Sequence, residues 1–291
     1  MPRDEAAFDA IGRLDPAFLA AYRKLEDAPR RTAALDAKTQ SFIRLAVDAN
    51  ATHLYVPALR DDIGACFDAG ATPAEVMEVL ECCATLGIHA LNIGVPILVD
   101  VLEQQGLRET APLTEYQERL KAEFTAKRGY WHPFWDEILE LAPEFFDAYT
   151  EFSSVPWVSG PLSPKQKEFV YIAFDFAATH LYTSGGRLHI ENAIRYGATA
   201  QELMEVLEIA MTLSIHAVTE AAPVLVDELD VDAGLRDLDE DVARELADLR
   251  HLAQGLTQRG GGERKAAIMR RRDQTVFLLL VVVGRGVVGS V

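Results

Sequence analysis

Apolar residues recur at three- and four-residue spacing along most of the chain, the period of helices with one buried face. Met77 to Ile88 shows it clearly. Ahead of that run, Thr72-Pro73-Ala74-Glu75 reads as a capping box with proline at the first helical position, and Gly70 ends the preceding helix. Thr199 to Glu202 repeats the box without the proline, and Thr114 with Gln117 opens a charged amphipathic helix reaching Lys127. No stretch before the C-terminal tail alternates as a strand would. VPWVSGPLSP, with its three prolines, reads as a loop, and its counterpart in the first half, Ala28 to Asp36, is charged.

Shifted by 127 positions, the chain overlays itself. LAVDANATHLY meets IAFDFAATHLY, GATPAEVMEVLE meets GATAQELMEVLE, and TLGIHA meets TLSIHA. Leu35 to Leu102 holds roughly 31 identities in 68 ungapped positions, which marks an internal repeat. The expected fold is all-α: two tandem helical units forming a pseudo-twofold bundle. The expected divisions are 1–112 for the first unit, 113–128 for a connecting helix, 129–232 for the second unit and 233–291 for a C-terminal helix and tail. Such paired units commonly assemble further, so a homo-oligomer is expected.

Composition narrows the partners. The formal net charge is −17, which repels nucleic acid and anionic membrane. An anionic substrate would need a local arginine. The three cysteines, Cys66, Cys82 and Cys83, form no CxxC pair, and the N-terminus has no apolar signal core. A reducing cytoplasm is expected. In the basic, glycine-rich tail the apolar run Val276 to Val283 is far short of the roughly 20 residues a membrane helix needs.

The candidate chemistry lies in histidines. His53 and His180 sit in the repeated ATHLY, and His89 and His216 in the repeated IHA. Packed histidines bonded to backbone or carboxylate would account for all four, and His53, Tyr55, His180 and Tyr182 are candidates to line a pocket. No HxxxH or HExxH places two histidines on one helical face, so no metal is expected. His189 differs, because its first-unit counterpart is Asp62. It follows a glycine pair and lies two residues after Arg187, which pairs with Arg60 across the repeat. A histidine titrates near neutrality, and a neighbouring arginine would favour the neutral base while offering a fork for a carboxylate. Packing of Asp62 against His189 across the units is a further option.

His189 to Ala217 resembles the carboxymuconolactone decarboxylase and alkylhydroperoxidase D-like family, matching its H-x3-A-x3-GAT-x2-E-(I/L)-x-E-(V/L)-L pattern at His189, Ala193, Gly197 to Thr199, Glu202, Leu203 and Glu205 to Leu207. The first unit departs, with Asp62 and Cys66 at the histidine and first alanine positions. The resemblance implies the family's helical fold. Its peroxidase branch needs C-x2-C-x3-H, and those cysteine positions hold Tyr182 and Gly185 here, or Tyr55 and Ala58. Without thiolates, dithiol peroxidase chemistry is disfavoured. The decarboxylase branch implies a lyase without a cofactor, acting on a small cyclic or keto carboxylic acid. His189 and Arg187 would be catalytic, and Arg60, His53, Tyr55, His180 and Tyr182 would bind substrate. A non-catalytic ligand-binding scaffold and a metal-dependent lyase or hydrolase using His53 and His180 remain open alternatives.

Overall fold

Two buried helices, α4 (Ala37–Ala49) and α11 (Pro164–Asp175), pack against each other at the centre of the helical unit formed by residues 1–226. The computed structural model describes residues 5–230 except Thr110, together with Val242 and Arg244. No strand occurs among the described residues. Residues 1–226 form one compact unit that contains both repeats, and 227–291 form a second. The expected tail beyond 233 lies outside the described residues apart from those two positions.

Around α4, the first repeat adds α1 (Glu5–Leu14), α2 (Pro16–Glu26), α3 (Ala28–Thr32), α5 (Val56–Asp68), α6 (Pro73–Ala84) and α7 (His89–Gln104). The connector is α8 (Glu115–Arg128). The second repeat adds α9 (Phe134–Leu141), α10 (Pro143–Ser159), α12 (Thr183–Arg195), α13 (Ala200–Thr212) and a helix over 216–230, α14. Both α6 and α13 tighten into a 3-10 turn, Thr85–Ile88 and Leu213–Ile215, before the last helix of each repeat.

The capping boxes legible in the sequence form at Thr72, Thr114 and Thr199. One expectation needs correction. The proline-rich VPWVS segment is helical: α10 runs to Ser159 with Pro156 buried inside it. The loop is confined to the residues after it, and Ser163 with Gln166 makes a capping box with Pro164 at the first helical position. A proline removes one helical hydrogen bond; here Pro156 itself is buried and Trp157 beside it packs on the core.

Neither repeat has a core of its own. Phe42, Leu45 and Val79 pack with Val170, Tyr171 and Phe174 from the other repeat. Ile43 and Val47 pack with Phe169, Ile172 and Ile209. Consecutive residues of α4 thus serve different clusters. The last helix of each repeat crosses to the first helix of the other: Ile88 on the way into α7 packs with Trp135, Ile138 and Leu139 of α9, and Ala222 and Val226 of α14 pack with Ala10 and Ile11 of α1.

The glutamates of the repeated MEV lock this exchange. Glu205 accepts hydrogen bonds from Ala34 N at 2.8 Å and Gln40 Nε2 at 2.6 Å. Its counterpart Glu78 accepts from Leu162 N at 2.6 Å and pairs with buried Lys167 at 3.0 Å. Each glutamate holds the loop that leads into the other repeat's central helix.

Pro73–Gln104 and Ala200–Asp230 are long and apolar enough to cross a membrane by length and composition alone. Each run is interrupted by its 3-10 turn and carries an inward-facing buried glutamate, Glu78 or Glu205, as helices of a bundle do.

Candidate functional site

The crossing of last helices brings the repeated histidines together in exchanged pairs. His53 Nε2 lies 3.1 Å from His216 Nδ1, and His180 Nε2 lies 2.7 Å from His89 Nδ1. Beneath each pair is a fully buried aspartate from the central helix. Asp48 Oδ1 is 3.4 Å from His53 Nε2 and 3.5 Å from His216 Nδ1. Asp175 Oδ1 is 3.8 Å from His89 Nε2.

The ATHLY turn explains how these groups converge. Leu54 and Leu181 adopt left-handed φ values of 39° and 51°. That conformation reverses the chain, so that Tyr55 N bonds back to Asp48 O at 2.8 Å and Tyr182 N to Asp175 O at 2.7 Å. The tyrosine rings then stack on the exchanged histidines, Tyr55 on His216 at 3.7 Å and Tyr182 on His89 at 3.9 Å. Strained, exposed leucines at both copies of this turn mark it as held in place by its surroundings.

Electrostatics differ between the copies. Burial lowers the pKa of His53 and His180. His89 is depressed to about 3 by burial, with His180 and His189 nearby adding to the shift. Burial pushes the Asp175 carboxyl up to about 7, with His189 opposing and Glu168 reinforcing that shift. Tyr55 is raised to about 12 by burial and by its bond to the Glu220 carboxylate.

The second repeat adds a histidine–carboxylate pair that has no equivalent in the first. His189 of α12 is buried, and its Nδ1 is 2.6 Å from Oε2 of fully buried Glu168 on α11. Tyr171, one helical turn along α11, stacks on the imidazole at 4.6 Å. Arg128 closes the far wall, donating to Ser153 O at 2.8 Å and lying 4.8 Å over the Trp157 ring. Burial opposes the Arg128 charge, but Tyr130, Tyr171, Tyr149 and Glu168 together hold its pKa above the ordinary value. The cavity there, about 30 Å³, is lined by His189, Arg128, Tyr130, Tyr149, Tyr182 and His89 among others. Tyr182 and His89 also border an open groove of about 550 Å³ with Leu86, Ile93 and His180. That stacked pair is the wall between groove and cavity.

The first repeat's matching cavity, about 70 Å³, is lined by Tyr55, Asp61, His216 and Thr219 among others. There, Ser41, Arg44 and Asp62 replace Glu168, Tyr171 and His189.

The structure does not bring Arg187 to His189. The Arg187 side chain is 81% exposed and pairs with Glu191 on the helix surface. Arg60 is likewise exposed. Two residues of α12 rotate the side chain by about 200°, so His189 falls on the buried face and Arg187 on the exposed one. The partner of His189 is Glu168 of its own repeat, rather than Asp62. His53, Tyr55, His180 and Tyr182 do border the cavities or the histidine pairs.

Residues that the sequence reading passed over are Glu168, Tyr171, Arg128, Asp48 and Asp175. Both aspartates recur in the repeat, and Glu168 and Asp175 bracket the apolar run Phe169 to Phe174, which was a usable signal. The repeat could not reveal Arg128, because its equivalent position is Met1. The three cysteines are buried, and burial drives Cys66 and Cys82 up to about 12 and Cys83 up as well, so none is a ready thiolate.

Residues 143–227 match the carboxymuconolactone decarboxylase family, a span that contains the His189–Glu168 pair. A Burkholderia xenovorans LB400 crystal structure, of a protein provisionally assigned as a gamma-carboxymuconolactone decarboxylase subunit, is 53% identical in sequence, with a TM-score of 0.76 over 78% of this chain and 91% of that one. The chain belongs to the carboxymuconolactone decarboxylase family. No protein of curated function matches it.

Proposed function

We propose that the chain is a lyase that removes carbon dioxide from a small cyclic or keto carboxylic acid in the second repeat's cavity. One observation carries this reading: a buried imidazole held by a buried carboxylate at 2.6 Å, facing a cavity walled by a permanently charged arginine. Glu168 takes up Nδ1 and stabilises the imidazolium, leaving Nε2 for the substrate. The bond to the carboxyl carbon breaks, carbon dioxide leaves, and the electron pair moves onto the substrate's own carbonyl as an enolate. His189 then gives the enolate carbon a proton. Arg128, with Tyr130 and Tyr149, supplies positive charge and donors for the carboxylate and then the enolate oxygen. This chemistry needs no cofactor at His189. A 30 Å³ space holds water but no lactone acid, so the substrate comes from the open groove as the Tyr182–His89 wall moves aside.

The chain acts as a homo-oligomer in this reading. One face of α7 leaves Ile93, Ile97, Leu98 and Val101 about half exposed or more, an apolar stripe suited to a second copy.

The test is carbon dioxide release from a panel of unsaturated lactone acids and β-keto acids. Release from at least one compound supports the proposal. Tight binding of these acids without any release would replace it with a ligand-binding role.

A further inference from the structure

The repeat poses a puzzle that the lyase reading leaves unanswered. Positions 41/168, 44/171 and 62/189 differ between the copies, so the acid–base pair exists once. Asp48/175, His53/180 and His89/216 are the same in both. The His189 chemistry does not account for this shared set.

We infer that Asp48, His53 and His216 bind one divalent first-row transition ion. Their donor atoms stand 3.1, 3.4 and 3.5 Å apart. A point equidistant from all three lies about 1.9 Å from each, so an ion at the usual imidazole and carboxylate bond lengths of about 2.0–2.2 Å would sit slightly out of their plane with no side chain moving. The carboxylate spacing in this triangle differs from that of a hydrogen-bonded carboxylate and imidazole. A carboxylate bonded to an imidazole closes to below about 3 Å, as Glu168 does on His189 at 2.6 Å, whereas both carboxylate–imidazole distances here are 3.4 Å or more.

Burial points the same way. The Asp48 side chain is 0% exposed, and a carboxylate enclosed with two imidazoles is favoured by a cation among them. Two imidazoles and one carboxylate suit zinc, iron(II), cobalt(II) or manganese(II), and three protein donors leave positions open for solvent or an oxygen ligand. The first repeat's cavity adjoins them, because His216 lines it beside Tyr55, Asp61 and Thr219.

The related set Asp175, His180 and His89 is less closed. Its imidazoles meet at 2.7 Å, as those of the first set do at 3.1 Å, but a different nitrogen of His89 faces the aspartate, at 3.8 Å. The inference therefore concerns the first set, and it does not depend on the lyase reading, whose residues line the other cavity.

The experiment titrates the metal-free full chain with Zn2+ by calorimetry and with Co2+ by visible absorption. Wild type, Asp48→Asn, His53→Gln and Asp175→Asn are compared, each checked for folding by its melting curve. Wild type is expected to bind, with Co2+ bands of a nitrogen–oxygen site. Asp48→Asn and His53→Gln are expected to lose one equivalent or weaken it at least 100-fold, and Asp175→Asn to keep it. His53 is half-buried, so His53→Gln still gives an answer if Asp48→Asn fails to fold. The inference is overturned if wild type binds neither ion, or if the first two folded variants bind as wild type does.

Discussion

His189 Nδ1 stands 2.6 Å from Glu168 Oε2, and the first repeat has aspartate and serine at the two equivalent positions. One chain thus carries one acid–base pair in a fold that offers two places for it. Glu168→Gln keeps a hydrogen-bond acceptor but removes the charge that stabilises an imidazolium. Turnover should fall about 100-fold, within the range for general acid–base groups, with KM changing less. Steady-state kinetics on the best substrate of the panel check this, and unchanged kcat would remove Glu168 from the mechanism.

Asp175 gives a pH dependence with a definite sign. Burial raises its carboxyl from 3.8 to about 7, so the fold favours the protonated form. The contribution to stability is complete below the unfolded value and is lost as pH rises through about 7. Asp175→Asn stays neutral throughout. In metal-free buffer its melting temperature should gain on wild type between about pH 4 and 8. Each pKa unit retained is worth about 1.4 kcal/mol, or roughly 3–6 °C in a chain of this size. A difference that does not change with pH contradicts the assignment.

Glu78 and Glu205 should differ in what their loss costs, although they are equivalent in the repeat. Glu78→Ala leaves the buried Lys167 ammonium without its carboxylate, for which about 3–5 kcal/mol is expected. Glu205→Ala removes an acceptor from backbone and amide donors and should cost about 1–3 kcal/mol. Gly160→Ala should also destabilise, since a Cβ there would fall on the Glu78 carboxylate and the Pro156 carbonyl. Urea unfolding of the three variants gives the order.

Much of this fold was readable from spacing and caps. The boxes at Thr72, Thr114 and Thr199 and the 127-residue shift placed the helices, because capping is local chemistry between residues three apart. The site was less readable, because it is built across repeats. The metal expectation looked for two histidines on one helix, whereas His53 and His216 come from different repeats and meet only through the crossing of α7 and α14. Arg187 looked like the partner of His189 because chain distance is visible and helix face is not. Arg128 was hidden at the end of a helix that reads as a polar connector, and only its surroundings of Trp157, Tyr130 and Tyr171 show its burial.

The apolar stripe on α7 predicts assembly through that face. Ile97, the most exposed of the four, can be changed to glutamate without touching a core cluster. Ile97→Glu should shift the mass measured by light scattering toward the single chain while the melting curve stays cooperative. An unchanged mass would place the interface elsewhere.

The measurement closest to the centre of the matter is carbon dioxide release by wild type beside His189→Ala and Arg187→Ala. With proton transfer at the buried His189–Glu168 pair, release should be lost in His189→Ala and keep near the wild-type rate in Arg187→Ala. Release that survives in His189→Ala, or that disappears with the exposed Arg187, would contradict this site.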